Sequence, residues 1–278
     1  MAAFADINIP YQNDSRSLLK FVSALVKLGY ETIAVNRTVS PTVKGKGGQG
    51  KIPMPDDFSS LVGLEDVKKI CPKLKLLSRI TVVIEEQQQV RFIPGETVQS
   101  YDILSVQPTT EKLFQQVCQT VECDVITFDM TSRMPFYIKH PQVNLAIERG
   151  ISFEIQYTPA IRDQNQRRHT IINALELIRV SRGRNVVISS CAERTIELRG
   201  PYDIVNLGLL FGLKQDQAKA TISKNVRSLL YHAEARNQTV KGTLKLEKNA
   251  FSTDYLKRSH EEVEMKNQSN PKAKKFKS

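Results

Sequence analysis

Short apolar runs rich in β-branched residues recur along the chain at residues 4–9, 32–35, 80–84, 102–106, 125–128, 151–157 and 185–190. Most are apolar nearly throughout instead of alternating, the pattern of strands covered on both faces, as in a parallel sheet flanked by helices. Segments with helical spacing lie between them. Residues 15–28 place Leu18, Leu19, Val22, Leu25, Val26 and Leu28 mostly on one face and stop at Gly29, the usual punctuation of a helix end. Residues 110–120 bring Leu113, Phe114 and Val117 together, 142–149 form a short helix closed by Gly150, and 166–180 align Ile171, Ile172, Leu175 and Ile178. Pro201 suits a first helical position, Asp203 suits the same helix's N-terminal end and Gly212 its stop; a further helical region runs to about Arg236.

Strand–helix units at this density over residues 1–236 fit a TIM-like (β/α) barrel, expected to be distorted, better than an open doubly wound sheet. Seven strands are clear, and residues 195–198 are a short candidate for an eighth, which leaves an incompletely closed cylinder open. Two segments break the rhythm. Residues 40–57 cluster Gly, Lys and Pro and read as a mobile loop. Residues 237–278 lose apolar periodicity and read as a disordered Lys-rich tail, whose Lys272, Lys274, Lys275 and Lys277 resemble a nuclear import signal. Gly45–Lys51 fits G-x-x-x-x-G-K, but Ile52 stands where Ser or Thr would hold magnesium, and Pro53 and Pro55 oppose the helix that a phosphate loop needs.

The 278 residues carry 40 Lys and Arg against 29 Asp and Glu, a net charge of +11, an excess that attracts polyanions. It has two parts. Residues 241–278 hold nine Lys and one Arg, whereas residues 160–200 hold eight Arg and no Lys. The rigid guanidinium fork docks phosphate in fixed geometry; a solvated, ion-paired helix face is the competing reading, given Asp163, Glu176, Glu193 and Glu197. No apolar run approaches the ~18 residues of a membrane span, and the first ten residues carry no basic leader, so a soluble, unsecreted chain is expected. Cys71, Cys118, Cys123 and Cys191 lack C-x-x-C spacing and are expected to be reduced thiols without chemistry.

A catalytic barrel gathers its acids, bases and metal ligands where strands end. Here the carboxylates Asp6, Glu85, Glu86, Asp129, Glu154 and Glu193 are scattered, and His140, His169, His232 and His260 lie away from strand ends. Residues 4–8 offer one acid and no imidazole, so a dinuclear metal site is not expected. Ser189 and Ser190 are outside any G-x-S-x-G. What gathers near strand ends is positive charge: Arg37, Arg79, Lys112, Arg133, Lys139, Arg162, Arg194 and Arg199. On a barrel such positions share one rim, and phosphate sites often form after its last strands. Phe136, Tyr137, Tyr157 and Tyr202 could stack on bases, though packing is their ordinary role. Three function classes stay open: an RNA-binding subunit, a metal-dependent phosphoesterase and a protein-only scaffold.

Several stretches carry a more specific likeness. Phe4-Ala5-Asp6, Leu28-Gly29-Tyr30, residues 78–81, 110–114, 135–139, 144–150 and 157–163, and above all residues 185–213 with Ser-Ser-Cys-Ala-Glu-Arg-Thr-Ile-Glu-Leu-Arg-Gly-Pro resemble the thirty-kilodalton protein subunit of ribonuclease P. The resemblance covers residues 1–236. It implies a TIM-like barrel in a nuclear, nucleolar ribonucleoprotein that removes 5′ leaders from precursor tRNA, shared with the rRNA-processing ribonuclease MRP. It also implies that the RNA holds the catalytic centre with its magnesium, that this chain needs no cofactor and has no activity of its own, and that a small α/β subunit is among its protein partners. Together the likeness and the charge pattern make Arg194 and Arg199 the first candidates for phosphate contact. Arg79, Lys112, Arg133, Lys139, Arg162, Arg167, Arg168, Arg182 and Arg184 follow, with Glu193 and Glu197 as residues that orient guanidiniums.

Overall fold

The computed structural model describes residues 4–41, 52–58 and 61–238, with the Gln238 side chain excluded. Met1–Asn237 forms one compact unit. The Gly-rich segment at 42–51, the tail beyond Gln238 and the four tail lysines lie outside the described residues.

Seven parallel strands form one sheet in sequence order, β1 (Phe4–Pro10), β2 (Tyr30–Val39), β3 (Lys75–Ile84), β4 (Ile103–Pro108), β5 (Val125–Ile126), β6 (Ser152–Gln156) and β7 (Val186–Ser189). The sheet curls into a nearly closed barrel. Beyond β7 the Cys191 N–H donates to the Asn8 carbonyl of β1 at 2.9 Å, which ties the seam without an eighth strand. Residues Thr195–Glu197 form a 3₁₀ turn, so the candidate eighth strand at 195–198 is not one.

The helices are α1 (Ser15–Leu28), α2 (Leu64–Ile70), α3 (Glu96–Gln99), α4 (Glu111–Gln119), α5 (His140–Glu148), α6 (Thr158–Arg162), α7 (Gln164–Ser181), α8 (Pro201–Leu210), α9 (Gln215–Thr221) and α10 (Lys224–Gln238). Local chemistry sets their ends. The Asp14 carboxylate accepts from the N–H groups of Arg16 and Ser17 and starts α1, and Asp163 does the same for α7 through Asn165 and Gln166. Gly29 closes α1 at φ +97°, in the left-handed region that a side chain disfavours. One face of α1, with Leu18, Phe21, Val22, Leu25 and Val26, packs with Ile33 and Val35 of β2.

Inside the barrel, layers alternate in character. Toward the N-terminal ends of the strands, Ala5, Ile7, Ala34, Ile103, Val125 and Val187 form an apolar layer, and Val226 and Leu229 of α10 plug it from below. Toward the C-terminal ends the interior turns polar, with Asn8, Asn36, Arg79, Thr81, Ser105, Glu154 and Ser189 all buried. That polar layer lies beneath the mouth where the strand-following loops gather.

Candidate nucleic-acid interface

Arg79 points inward from β3 and is fully buried. Its Nη2 donates to Glu154 Oε2 at 2.6 Å and to Ser105 Oγ at 3.1 Å, and Nη1 donates to the Ile7 carbonyl at 2.9 Å and to Glu154 Oε1. Glu154 Oε1 also accepts from Ser189 Oγ at 2.7 Å and Asn8 Nδ2 at 3.2 Å. Asn36 bridges onward, donating to Asn8 Oδ1 at 2.9 Å and accepting from Thr81 at 2.8 Å. Burial alone would raise the Glu154 carboxyl, but the Arg79 charge and the hydrogen bonds overcome it and hold the group below its ordinary range. Glu154 is thus engaged as an anion by a bidentate guanidinium. Arg79, expected at a strand end as a phosphate contact, is corrected to an interior residue: alternation along β3 turns it into the barrel, where it is fully buried.

The corner after β7 is built around Glu197, whose side chain is only 5% exposed. It accepts from Arg162 Nε at 3.0 Å and Nη2 at 2.9 Å, from the N–H groups of Glu193 and Arg194, and from Arg194 Nε at 3.2 Å. Desolvation works against its charge, yet these donors, Arg162 first, lower its pKa to about 2. Arg162 also reaches Glu193 at 3.1 Å. Arg194 shares Glu197 but keeps its side chain 70% exposed. Arg199 is fixed through its backbone, its N–H donating to Tyr157 Oη and its carbonyl accepting from Tyr30 Oη, while its guanidinium covers the Ile196 and Leu198 carbonyls. Arg167, in the first turn of α7, donates to the Ala160 and Ile161 carbonyls.

Because all strands run the same way, the loops after β4, β5, β6 and β7 open at one mouth. Lys112, Arg133, Lys139, Arg162, Arg167, Arg168, Arg194 and Arg199 lie there. Lys139 is paired with Glu111 at 2.6 Å, while Lys112, Arg133 and Arg168 are exposed and without a side-chain partner among the described residues. Arg182 and Arg184 do not join them, because the eighteen residues of α7 carry the chain back to the opposite end. There Arg182 closes the helix at φ +57°, and Arg184 donates to Asn144 at 2.6 Å. Tyr157 is 1% exposed and belongs to the core. Phe136 stacks on Phe114 at 5.5 Å, whereas Tyr137 and Tyr202 are open to solvent.

Beside the cationic mouth lies an apolar groove of about 1270 Å³ between the 133–138 segment, α7 and the end of α8, lined by Phe136, Tyr137, Ile172, Leu175 and Phe211 among others. Tyr137, Ile172, Leu175, Leu209 and Leu210 are all exposed there or next to it, a concentration of apolar surface that marks an interaction site. Periodicity assigned Ile172 and Leu175 to a buried helix face together with Ile171 and Ile178; instead they face outward.

Other features escaped sequence reasoning. The Arg149 guanidinium caps α4 and the turn after it by donating to the Val117, Cys118 and Val121 carbonyls. Arg37 pairs with Asp56 at 2.7 Å and lies 3.4 Å from the Tyr11 ring centroid. Asp124, buried, holds both His232 and Arg236 of α10. Their partners are far away in sequence, and no local pattern announces them. The cysteines are free thiols, and burial pushes Cys118 and Cys191 up to about 12 and raises Cys123 as well.

The chain matches the family described as RNase P subunit p30 over residues 3–238. It is 40% identical over 238 residues to ribonuclease P protein subunit p30 of Mus musculus, covering 85% of this chain and 88% of that protein. It is 29% identical to ribonuclease P/MRP protein subunit RPP1 of Saccharomyces cerevisiae, over 86% of this chain and 83% of the relative. Among solved structures, a chain of an archaeal ribonuclease P with mature tRNA, determined by cryo-electron microscopy, shares the fold with a TM-score of 0.57 at 20% identity, over 89% of this chain and 100% of that one.

Proposed function

The chain belongs to the RNase P subunit p30 family, and from that premise we propose that it is a non-catalytic protein subunit of ribonuclease P that grips the RNA with the C-terminal mouth of its barrel. One observation carries this reading: the interior carboxylate Glu154 is locked to Arg79 and Asp6 is buried against the Asn8 and Ser190 N–H groups, while the mouth above them presents cations. Glu154 Oε1 has three side-chain donors and Oε2 is bonded to Arg79, so Glu154 is ill placed to take a proton from water or to ligate an ion. In this reading the RNA holds the catalytic centre and its magnesium, and this chain contributes no cofactor site. Removal of 5′ leaders from precursor tRNA, a share in ribonuclease MRP and rRNA processing, and residence in the nucleus and nucleolus belong to the same proposal and rest on the family.

Arg194, Arg168, Arg133 and Lys112 are the mouth residues best suited to phosphate, since their heads reach solvent. Arg162, held by two carboxylates, serves chiefly to fix the turn that presents Arg194. The apolar groove beside the mouth suits a protein partner, and we assign to it the small α/β subunit that the resemblance implies. Binding measured against salt tests the RNA role. Each lost phosphate contact lowers the slope of log affinity against log salt by about 0.7 to 0.9, so Arg194→Gln and Arg168→Gln are expected to reduce slope and affinity together. Unchanged slopes, or chelator-sensitive phosphodiester cleavage by the purified chain alone, would overturn the reading.

A further inference from the structure

The opposite end of the barrel carries a second cavity, with both polar and apolar lining, that the proposed function leaves unused. It has a volume of about 530 Å³ and lies between the start of β3 and the outer face of α10, with Lys73, Lys75, Arg227 and Tyr231 in its walls. The sequence of α10 explains its two sides. Val226 and Leu229 turn into the barrel as its plug, which leaves Arg227 and Tyr231, one helical turn apart, on the outer side. Tyr231 is 66% exposed, and no ring in the described residues packs against it. Lys73, Lys75 and Arg227 are exposed and have no carboxylate or carbonyl partner among the described residues.

We infer that this cavity is a second RNA-contact site, which binds a single-stranded segment by stacking a base on Tyr231 and pairing its phosphates with Lys73, Lys75 and Arg227. A single lysine on a surface needs no explanation, and neither does a single exposed tyrosine. Three unpaired cations converging on one exposed aromatic across a concavity are what an unpaired nucleotide requires, because its charge and its π-face lie on different parts of the same residue. Glu31 and Glu234 also line the cavity. The walls are therefore of mixed sign and suit a ligand that alternates phosphate with an uncharged base better than an acidic peptide of uniform charge.

This inference rests on the RNA-binding reading above, and its test separates the two. A short fluorescent single-stranded RNA is titrated onto the full chain, wild type and variants, at several salt concentrations. Tyr231→Ala is expected to weaken binding by about tenfold with no change in salt slope, and Tyr231→Phe to restore it. Lys73→Gln with Lys75→Gln is expected to lower the slope by about 0.7 per residue. Iodouridine-substituted RNA should crosslink to Tyr231. All three side chains are exposed, so unchanged thermal unfolding is expected and confirms that the variants fold. If the mouth variants weaken binding and these do not, the inference falls and the proposed function stands. If the wild-type chain fails to bind, or neither set of variants has an effect, both fall. If polyglutamate competes through the lysines while Tyr231→Ala is neutral, the cavity is a protein site and the inference is overturned.

Discussion

The two ends of this barrel carry positive charge in different ways. At the C-terminal mouth, Arg162 and Arg194 share Glu197, Lys139 is paired with Glu111, and Arg199 and Arg167 are bonded to carbonyls. At the N-terminal end, Lys73, Lys75 and Arg227 have no side-chain partner among the described residues and line a cavity with an exposed tyrosine, while the interior of that end is latched by Asp124 to His232 and Arg236. A held guanidinium has surrendered its side-chain entropy before any ligand arrives, but the ligand must then compete with the carboxylate that holds it. A free cation keeps its full charge for the ligand and is ordered only on binding. The mouth, where held guanidiniums stand beside Lys112, Arg133 and Arg168, which are exposed and without a side-chain partner among the described residues, is therefore suited to geometric docking with some adaptable contact, and the other end to adaptable contact alone.

The comparison can be broken most severely at the layer between the two ends. Glu154→Leu leaves the Arg79 guanidinium buried without its anion, and a loss of about 3–5 kcal/mol in urea unfolding is expected. Adding Arg79→Met should recover much of it, because two apolar side chains of similar size need no partner. If Glu154→Leu alone is neutral, the hydrogen bonds between Arg79 and Glu154 are not what holds the polar layer. At the N-terminal end, Asp124→Asn weakens the anchorage of Arg236 and His232, and a loss of about 2–3 kcal/mol with faster amide exchange in α10 is expected.

The mouth gives a smaller, pH-dependent effect. The folded-state pKa of Glu197 is depressed, to about 2, so its contribution to stability is fully present above the unfolded value and is lost as pH falls through the folded one. Wild type should exceed Glu197→Gln by about 1–2 kcal/mol above about pH 5, discounted because Arg162 and Arg194 are partly in solvent, and the gap should narrow as pH drops toward about 2. A gap that widens on acidification would contradict the assignment. The smallest effect is local: Asp14→Ala should slightly lower the thermal unfolding midpoint by removing the α1 cap, with RNA affinity unchanged at both ends. A change in affinity would show that the two ends are coupled through the scaffold.

Much of the scaffold is legible along the chain. The seven strands and the larger helices follow from runs and spacings, because burial on both faces of a parallel sheet leaves an apolar signature in each strand. The short elements α2, α3 and α6 were not legible, since four to seven residues complete too few turns for periodicity to show. The site was legible in kind and only partly in place. Strand-following position put Lys112, Arg133, Arg162, Arg194 and Arg199 at one mouth, but Arg79 fell within a strand, where alternation alone decides between rim and interior, and Arg182 and Arg184 were carried to the far end by the length of α7. Tyr231 was missed because a helix-facing tyrosine and a solvent-facing one read alike.

By itself, the order of residues determined the element types, the parallel barrel class, the excess of positive charge and the family likeness, since each depends on neighbours within a turn or on summed composition. Which cations are buried, held or free was decided only by the tertiary structure. Arg79 meets Glu154 across 75 residues, Arg236 meets Asp124 across 112, and Lys73 faces Tyr231 across one cavity. Such pairings depend on barrel closure and strand register, and nothing local to either partner specifies them.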